Sequence, residues 1–180
     1  MFGLSLPTFT ALHVALSLVA IAAGVIALLR PAMPARASSV ATLFLATTLA
    51  TTLTGLLFAL PFPRFGLGHG IGIVSLVVLP PTALALHRHR ASGNWRRTYV
   101  GGATLLLYLN AFIGVRQAFA KIGFLRDLPA TPGGSPLLLA HLLLVMVCLW
   151  LALHAAARLQ SVAPKPRRRA RPLYVVDRWG

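Results

Sequence analysis

Three histidines, His13, His69 and His141, stand near the beginnings of three long apolar runs, and a fourth run carries Asn110, Gly114, Gln117 and Lys121 at helical spacing. Neutral imidazole ligates haem iron, copper or zinc, hydrogen-bonds a quinone carbonyl, and passes protons. Arg116, next to Gln117, suits a propionate or another anion. His13, His69, His141, Arg116 and Gln117 are therefore candidate cofactor-binding residues, for non-covalent haem b or a quinone. A bare metal ion fits this set less well, because the carboxylates that usually orient metal-bound histidines are missing. The chain has only two acids, Asp127 and Asp177, and neither falls in an apolar run, which excludes an Asp or Glu proton relay across a membrane. Against a shared site stands a plainer reading: histidines at the ends of membrane helices also sit at the wet interface, and equal depth is not contact. No catalytic residue is assigned.

A second group of polar residues lies deeper. In the second run Thr47, Thr51 and Thr54 fall on one helical face, with Thr48, Thr52 and Gly55 on the adjacent one. Asn110 is the deepest amide of the fourth run. Hydroxyls in membrane helices bond back to carbonyls one turn earlier and small residues line close helix contacts, so the expectation is packing, with Asn110 bonded across to the threonines. A hydroxyl-lined conduction path is the alternative. His13, Ser17, Ala20 and Gly24 form a small-residue face on the first run, suited to another helix rather than lipid.

The elements that must position these groups follow from composition. Of 180 residues, 57% are apolar and 11% charged, too little polar sequence for a soluble domain beside several spans. A hydrocarbon core of about 30 Å takes about 20 residues of helix. Five stretches qualify: 8–29, 39–61, 69–87, 98–120 and 136–157. The expected fold class is all-α, a five-span transmembrane helical bundle over residues 1–157 followed by a basic tail, 158–180. The single Cys148 rules out an internal disulfide, and no CxxCH haem-attachment signature is present. Pro31 and Pro34 close the first span, Ser38 and Ser39 are candidate caps for the second, and Pro61 and Pro63 end it. Pro80 and Pro81 should kink the third, with Ser75 or neighbouring helices satisfying the freed carbonyls. Pro136 suits the first position of the fifth.

Charge sets the orientation. With the N-terminus outside, thirteen of the seventeen bases fall on the inner side and only Arg64, Arg116, Lys121 and Arg126 outside, as the positive-inside rule requires. The run from Leu12 to Leu29 followed by Ala35-Arg36-Ala37 also resembles a cleavable signal. No base precedes it, and cleavage would put the basic loop from His87 to Arg97 outside, so it is read as a span. Phe9, Phe58, Phe62, Phe65, Phe119 and Phe124 mark the outer interface, and Trp95 and Tyr99 the inner one. His87, His89 and His154 read as interfacial. In the tail, Lys165, Arg167, Arg168, Arg169 and Arg171 are placed to bind anionic lipid, each base contributing about 1 kcal/mol near such a surface. Nucleic acid is not an expected partner, since the run lacks interleaved aromatics and a folded module.

Ala46-Thr47-Thr48 through Thr54-Gly55 to Pro61-Phe62, then His69-Gly70-Ile71-Gly72-Ile73, Trp95-Arg96, Tyr108-Leu109-Asn110 and Gln117-Ala118-Phe119 resemble a family of small uncharacterised bacterial multi-pass membrane proteins. The resemblance covers most of residues 10–145. It implies a helical inner-membrane protein and brings no activity, substrate or cofactor with it, while Arg116 and the basic tail stand apart from the family pattern. Three functions are compatible with the residues. The first is a small accessory or scaffold component of a bacterial inner-membrane complex, not itself an enzyme, with a membrane-protein partner or a second copy. The others are a haem b or quinone protein, and a small transporter or channel.

Two outcomes are expected. A cysteine introduced at Ser92 should resist membrane-impermeant labelling of intact cells; efficient labelling would reverse the topology. Replacing Arg167, Arg168, Arg169 and Arg171 together with Gln should reduce binding to anionic over neutral vesicles while leaving insertion intact. An unchanged vesicle ratio would remove the tail's lipid role.

Overall fold

The computed structural model describes residues 5–30, 38–58, 66–88, 93–130 and 134–161. The fold is all-α: α1 (Leu6–Leu29), α2 (Ser38–Leu57), α3 (Leu67–Arg88), α4 (Gly93–Lys121), the single turn α5 (Gly123–Arg126) and α6 (Pro136–Ser161). Five of these are long and apolar enough to cross a membrane. They coincide with the five stretches expected from sequence, although α4 begins five residues before 98 and residues 59–61 of the second stretch lie outside the described residues.

Local chemistry explains the starts. Ser5 caps α1, its hydroxyl accepting from Thr8 N–H at 3.4 Å, and Ser135 caps α6 by accepting from Leu138 N–H at 3.2 Å, with Pro136 at the first helical position where a missing N–H costs nothing. Gly134 precedes that cap at φ 122°, a conformation in which a Cβ is strained. Ser38 and Ser39 are inside the first turn of α2 rather than ahead of it. Helix α3 runs through Pro80 and Pro81, both exposed on its outer side. Ser75 does not serve the freed carbonyls as expected: its hydroxyl donates to Ile71 O at 2.9 Å, one turn earlier.

Helices α1 to α4 pack in chain order, α1 against α2, α2 against α3, α3 against α4 and α4 back against α1, and α6 lies against α1 and α4. Short connections make successive helices antiparallel, so one end of the bundle gathers the starts of α1, α3 and α6 with the finishes of α2 and α4. Phe9 meets Phe58 there at 4.9 Å between ring centroids, and Phe112 meets His141 at 4.4 Å. The opposite end carries Arg30, Arg96, Arg97 and Arg158.

Packing is uneven along this axis. One continuous apolar core joins Ala27 and Leu28 of α1, Ala41 and Phe44 of α2, Ala85 of α3, Tyr99, Ala103 and Leu106 of α4, and Leu151 and Ala155 of α6, all in the half nearest the arginines. Tyr99 is only 4% exposed inside it, packed among the helices at the arginine end. Beyond mid-membrane the buried positions of α2 and α3 become small or hydroxyl-bearing: Thr48, Thr51, Thr52, Gly72 and Ser75. Farther out, the described residues of α4 after Ala111 and of α6 before Cys148 include no buried side chain.

Since lipid tails are as apolar as leucine, such a bundle is held by close contact rather than by removal from water. Glycines supply the contact. The ring of Phe44 lies over Gly24, where a Cβ would come within 2.8 Å of it, and the Thr82 hydroxyl occupies the place a Cβ on Gly102 would take. Thr82 is fully buried and donates to Val78 O at 2.7 Å, so α3 and α4 meet backbone to side chain with no room to spare.

Candidate functional site

The three histidines are all at the end of the bundle away from the core, and each is held by a different neighbour. His13, half-buried on α1, reaches α2: its Nδ1 is 2.8 Å from Thr54 Oγ1, and its ring meets Phe58 edge to face at 5.4 Å. The Thr54 hydroxyl is itself directed at Ala50 O, 2.8 Å away, and has one proton to give. Thr51 O lies 3.0 Å from the same hydroxyl, and the direction of the His13–Thr54 bond follows the tautomer of the ring. His141 has its Nδ1 2.7 Å from Leu137 O; a carbonyl can only accept, so the proton is on Nδ1 and the lone pair on Nε2. That Nε2 is buried without a partner among the described residues, beside the ring of Phe112.

His69 has the opposite polarity. Its Nδ1 accepts from Gly66 N–H at 2.9 Å, which puts the proton of the neutral ring on Nε2. In this tautomer His69 donates from Nε2 and offers no lone pair there for a metal. The structure thus separates the three residues that the sequence grouped by depth: His13 with α2, His141 with α4, His69 with its own helix start. Among the described residues no three His, Cys, Asp or Glu side chains converge as a metal site. Arg116 and Gln117 are exposed near the end of α4, and Lys121 ends that helix.

The deeper polar residues are engaged with one another. Asn110 Nδ2 donates to Thr48 Oγ1 at 3.2 Å, joining α4 to α2 across the bundle. Thr47 donates to Leu43 O at 2.7 Å and Thr54 to Ala50 O, the back-bonded geometry expected for membrane threonines. Thr51 faces inward with its hydroxyl unpaired among the described residues, as does Thr104 on α4. Lys165, Arg167, Arg168, Arg169 and Arg171 lie outside the described residues.

Two contacts that sequence reasoning missed close the other end. His154 Nε2 lies 3.3 Å from Leu29 O, one of the last carbonyls of α1, and Arg96 donates to Leu159 O, near the end of α6, at 2.6 Å. His154 and Arg96 thus serve neighbouring helix C-termini, where the helix dipole favours a positive or hydrogen-donating group. His154 is half-buried and stacks on Trp150, with centroids 5.5 Å apart, so it also packs within the bundle. No sequence signal marks these pairs beyond a donor near a helix end, because the partners are 63 and 125 residues away.

Compared with known proteins, the chain matches no family model, no curated protein and no solved structure. The site must be read from its own geometry. A double-mutant cycle of Asn110→Ala and Thr48→Val should give a coupling of about 0.6 kcal/mol in detergent or bicelle unfolding, the usual size for a cross-helix bond in membranes. Strict additivity would show that the contact does not hold α2 to α4.

Proposed function

We propose that the chain is a small accessory or scaffold component of a bacterial inner-membrane complex, N-terminus outside and C-terminus in the cytoplasm. The observation that supports it is the use made of its polar groups. Within the spans, Asn110, Thr47, Thr54, Ser75 and Thr82 are tied to other groups of the bundle. No carboxylate falls in a candidate span. The gathering of Arg30, Arg96, Arg97 and Arg158 at one end supports the orientation. The tail residues Lys165, Arg167, Arg168, Arg169 and Arg171 would add anionic-lipid attraction on that same side. Helix α6 uses a narrow face against α1 and α4 and leaves Leu142, Leu143, Met146, Trp150 and Leu153 more than half exposed to lipid or a neighbouring membrane protein.

One observation favours a second reading, a membrane redox protein holding haem b or a quinone in its reduced, hydroxyl-bearing form: the Nδ1 anchor of His141 leaves the lone pair of that ring on Nε2. The threonine and asparagine stripes do not favour a transport path, since most of their groups are spent on helix contacts.

Native electrophoresis of gently solubilised membranes, at the natural level of expression, should find the chain in a discrete complex larger than its own micelle, without a Soret band. Migration as a lone colourless chain would overturn the accessory role; a lone chain with a Soret band would select the redox reading.

A further inference from the structure

Helices α1 and α6 meet less closely than either meets α4, which leaves a furrow between them with α4 as its floor. Its α6 wall is one stripe: Leu143, Val147, Trp150, His154 and Arg158 recur every three or four residues, and His154 fixes the direction of the stripe by reaching Leu29 O of α1 at 3.3 Å. Leu143, Val147 and Trp150 stay exposed all the same, Trp150 by 56%. The α1 wall repeats the pattern, since Ile21 meets α4 at Gly114 while Leu18 and Val14, on the same helical face, are exposed.

At its arginine end the furrow turns basic. Arg158 is the last member of the α6 stripe and Arg30 follows Leu29 on α1, so the His154 contact sets the two bases at the furrow's mouth. Among the described residues no carboxylate stands at that end: Asp127, the one acid described, pairs with Arg126 at 3.1 Å in the connection between α4 and α6. The fitting occupant is apolar along its length and anionic at one end. A second copy of the chain fails on charge, because it would bring the same arginines and no acid within a candidate span. A free phosphate would match the bases and leave the apolar walls bare. A phospholipid matches both: one leaflet of hydrocarbon is about 15 Å deep, and Trp150 and Val147 lie about 12 and about 17 Å along the helix from Arg158.

We propose that one anionic phospholipid lies lengthwise in this furrow, its phosphate between Arg30 and Arg158 and an acyl chain along Trp150 and Val147. The site belongs to the folded bundle and is separate from the attraction exerted by the basic tail, and it stands whether or not the accessory reading does. Guanidinium groups hold a phosphodiester by charge-assisted hydrogen bonds, whereas a zwitterionic headgroup brings a cation that they repel. Trp150, set by its stack on His154, gives the chain a flat apolar wall.

The test uses the full chain in phosphatidylcholine nanodiscs, with Trp95→Phe and Trp179→Phe so that Trp150 alone fluoresces. Phosphatidylglycerol or phosphatidylcholine with dibrominated acyl chains is added at rising mole fraction, and quenching is followed. Quenching by the anionic lipid should saturate near one lipid per chain, at a mole fraction about ten-fold below that needed for the zwitterionic one. Arg30→Gln with Arg158→Gln should erase the preference, while Arg167→Gln, Arg168→Gln, Arg169→Gln and Arg171→Gln together should leave it. Millimolar inorganic phosphate should not displace the lipid. Equal quenching by the two lipids in the parent protein, a preference that survives the loss of Arg30 and Arg158, or one that vanishes with the tail arginines would each overturn the proposal. Displacement by inorganic phosphate would assign the bases to a free anion and overturn it as well. The first comparison sets two lipids against one protein, so a variant that fails to fold does not decide the outcome.

Discussion

The last carbonyls of a helix have no intrahelical donor, and this bundle answers that constraint with side chains from neighbouring helices. The end of α1 is served by His154 of α6, and the end of α6 by Arg96 of α4. Three helices are thereby tied in sequence at the end where the apolar core is also most complete. The donors chosen are basic, so the same groups that satisfy the backbone also oppose the negative ends of two helix dipoles and add to the charge that biases insertion.

From that fixed end the interior changes character in steps. An apolar core gives way to a layer of hydroxyls and one amide, in which Asn110 reaches Thr48 and Ser75, Thr47 and Thr54 bond back on their own helices. Beyond it comes a rim of histidines, each oriented by a separate hydrogen bond. Imidazoles with equal depth thus acquire unequal chemistry: a backbone N–H at Gly66 makes one a donor at Nε2, while a carbonyl at Leu137 makes another an acceptor there. The fold itself selects which of them can receive a hydrogen bond.

Much of this architecture can be read in the sequence, because span length and helix starts are local properties. Ser135-Pro136 marks the beginning of α6 as a cap followed by a residue that needs no donor, and the apolar runs leave little freedom in where helices fall. The Asn110 bond was also accessible in kind, since a mid-membrane amide must find a partner and α2 is rich in hydroxyls. The burial of Tyr99 was not marked by the neighbouring Arg96 and Arg97, and follows from its helical phase with Ala103 and Leu106. The His154 and Arg96 contacts were hidden for a different reason: they depend on α6 lying against α1 and α4, and nothing in a linear pattern states which helices are neighbours. The tautomers of His69 and His141 were hidden too, being decided by the atom that each Nδ1 meets.

The one-sided core has a mechanical consequence. A helix such as α6, 26 residues long, is a lever of about 39 Å whose fulcrum is the packed end, so a tilt of about 5° shifts the other end by about 3 Å. Membrane helices accommodate bilayers of differing thickness by tilting. With its packed half at the arginine end, α6 would deliver such an adjustment mainly to the opposite rim. The separation of the histidine-bearing helices becomes a function of the thickness of the surrounding lipid.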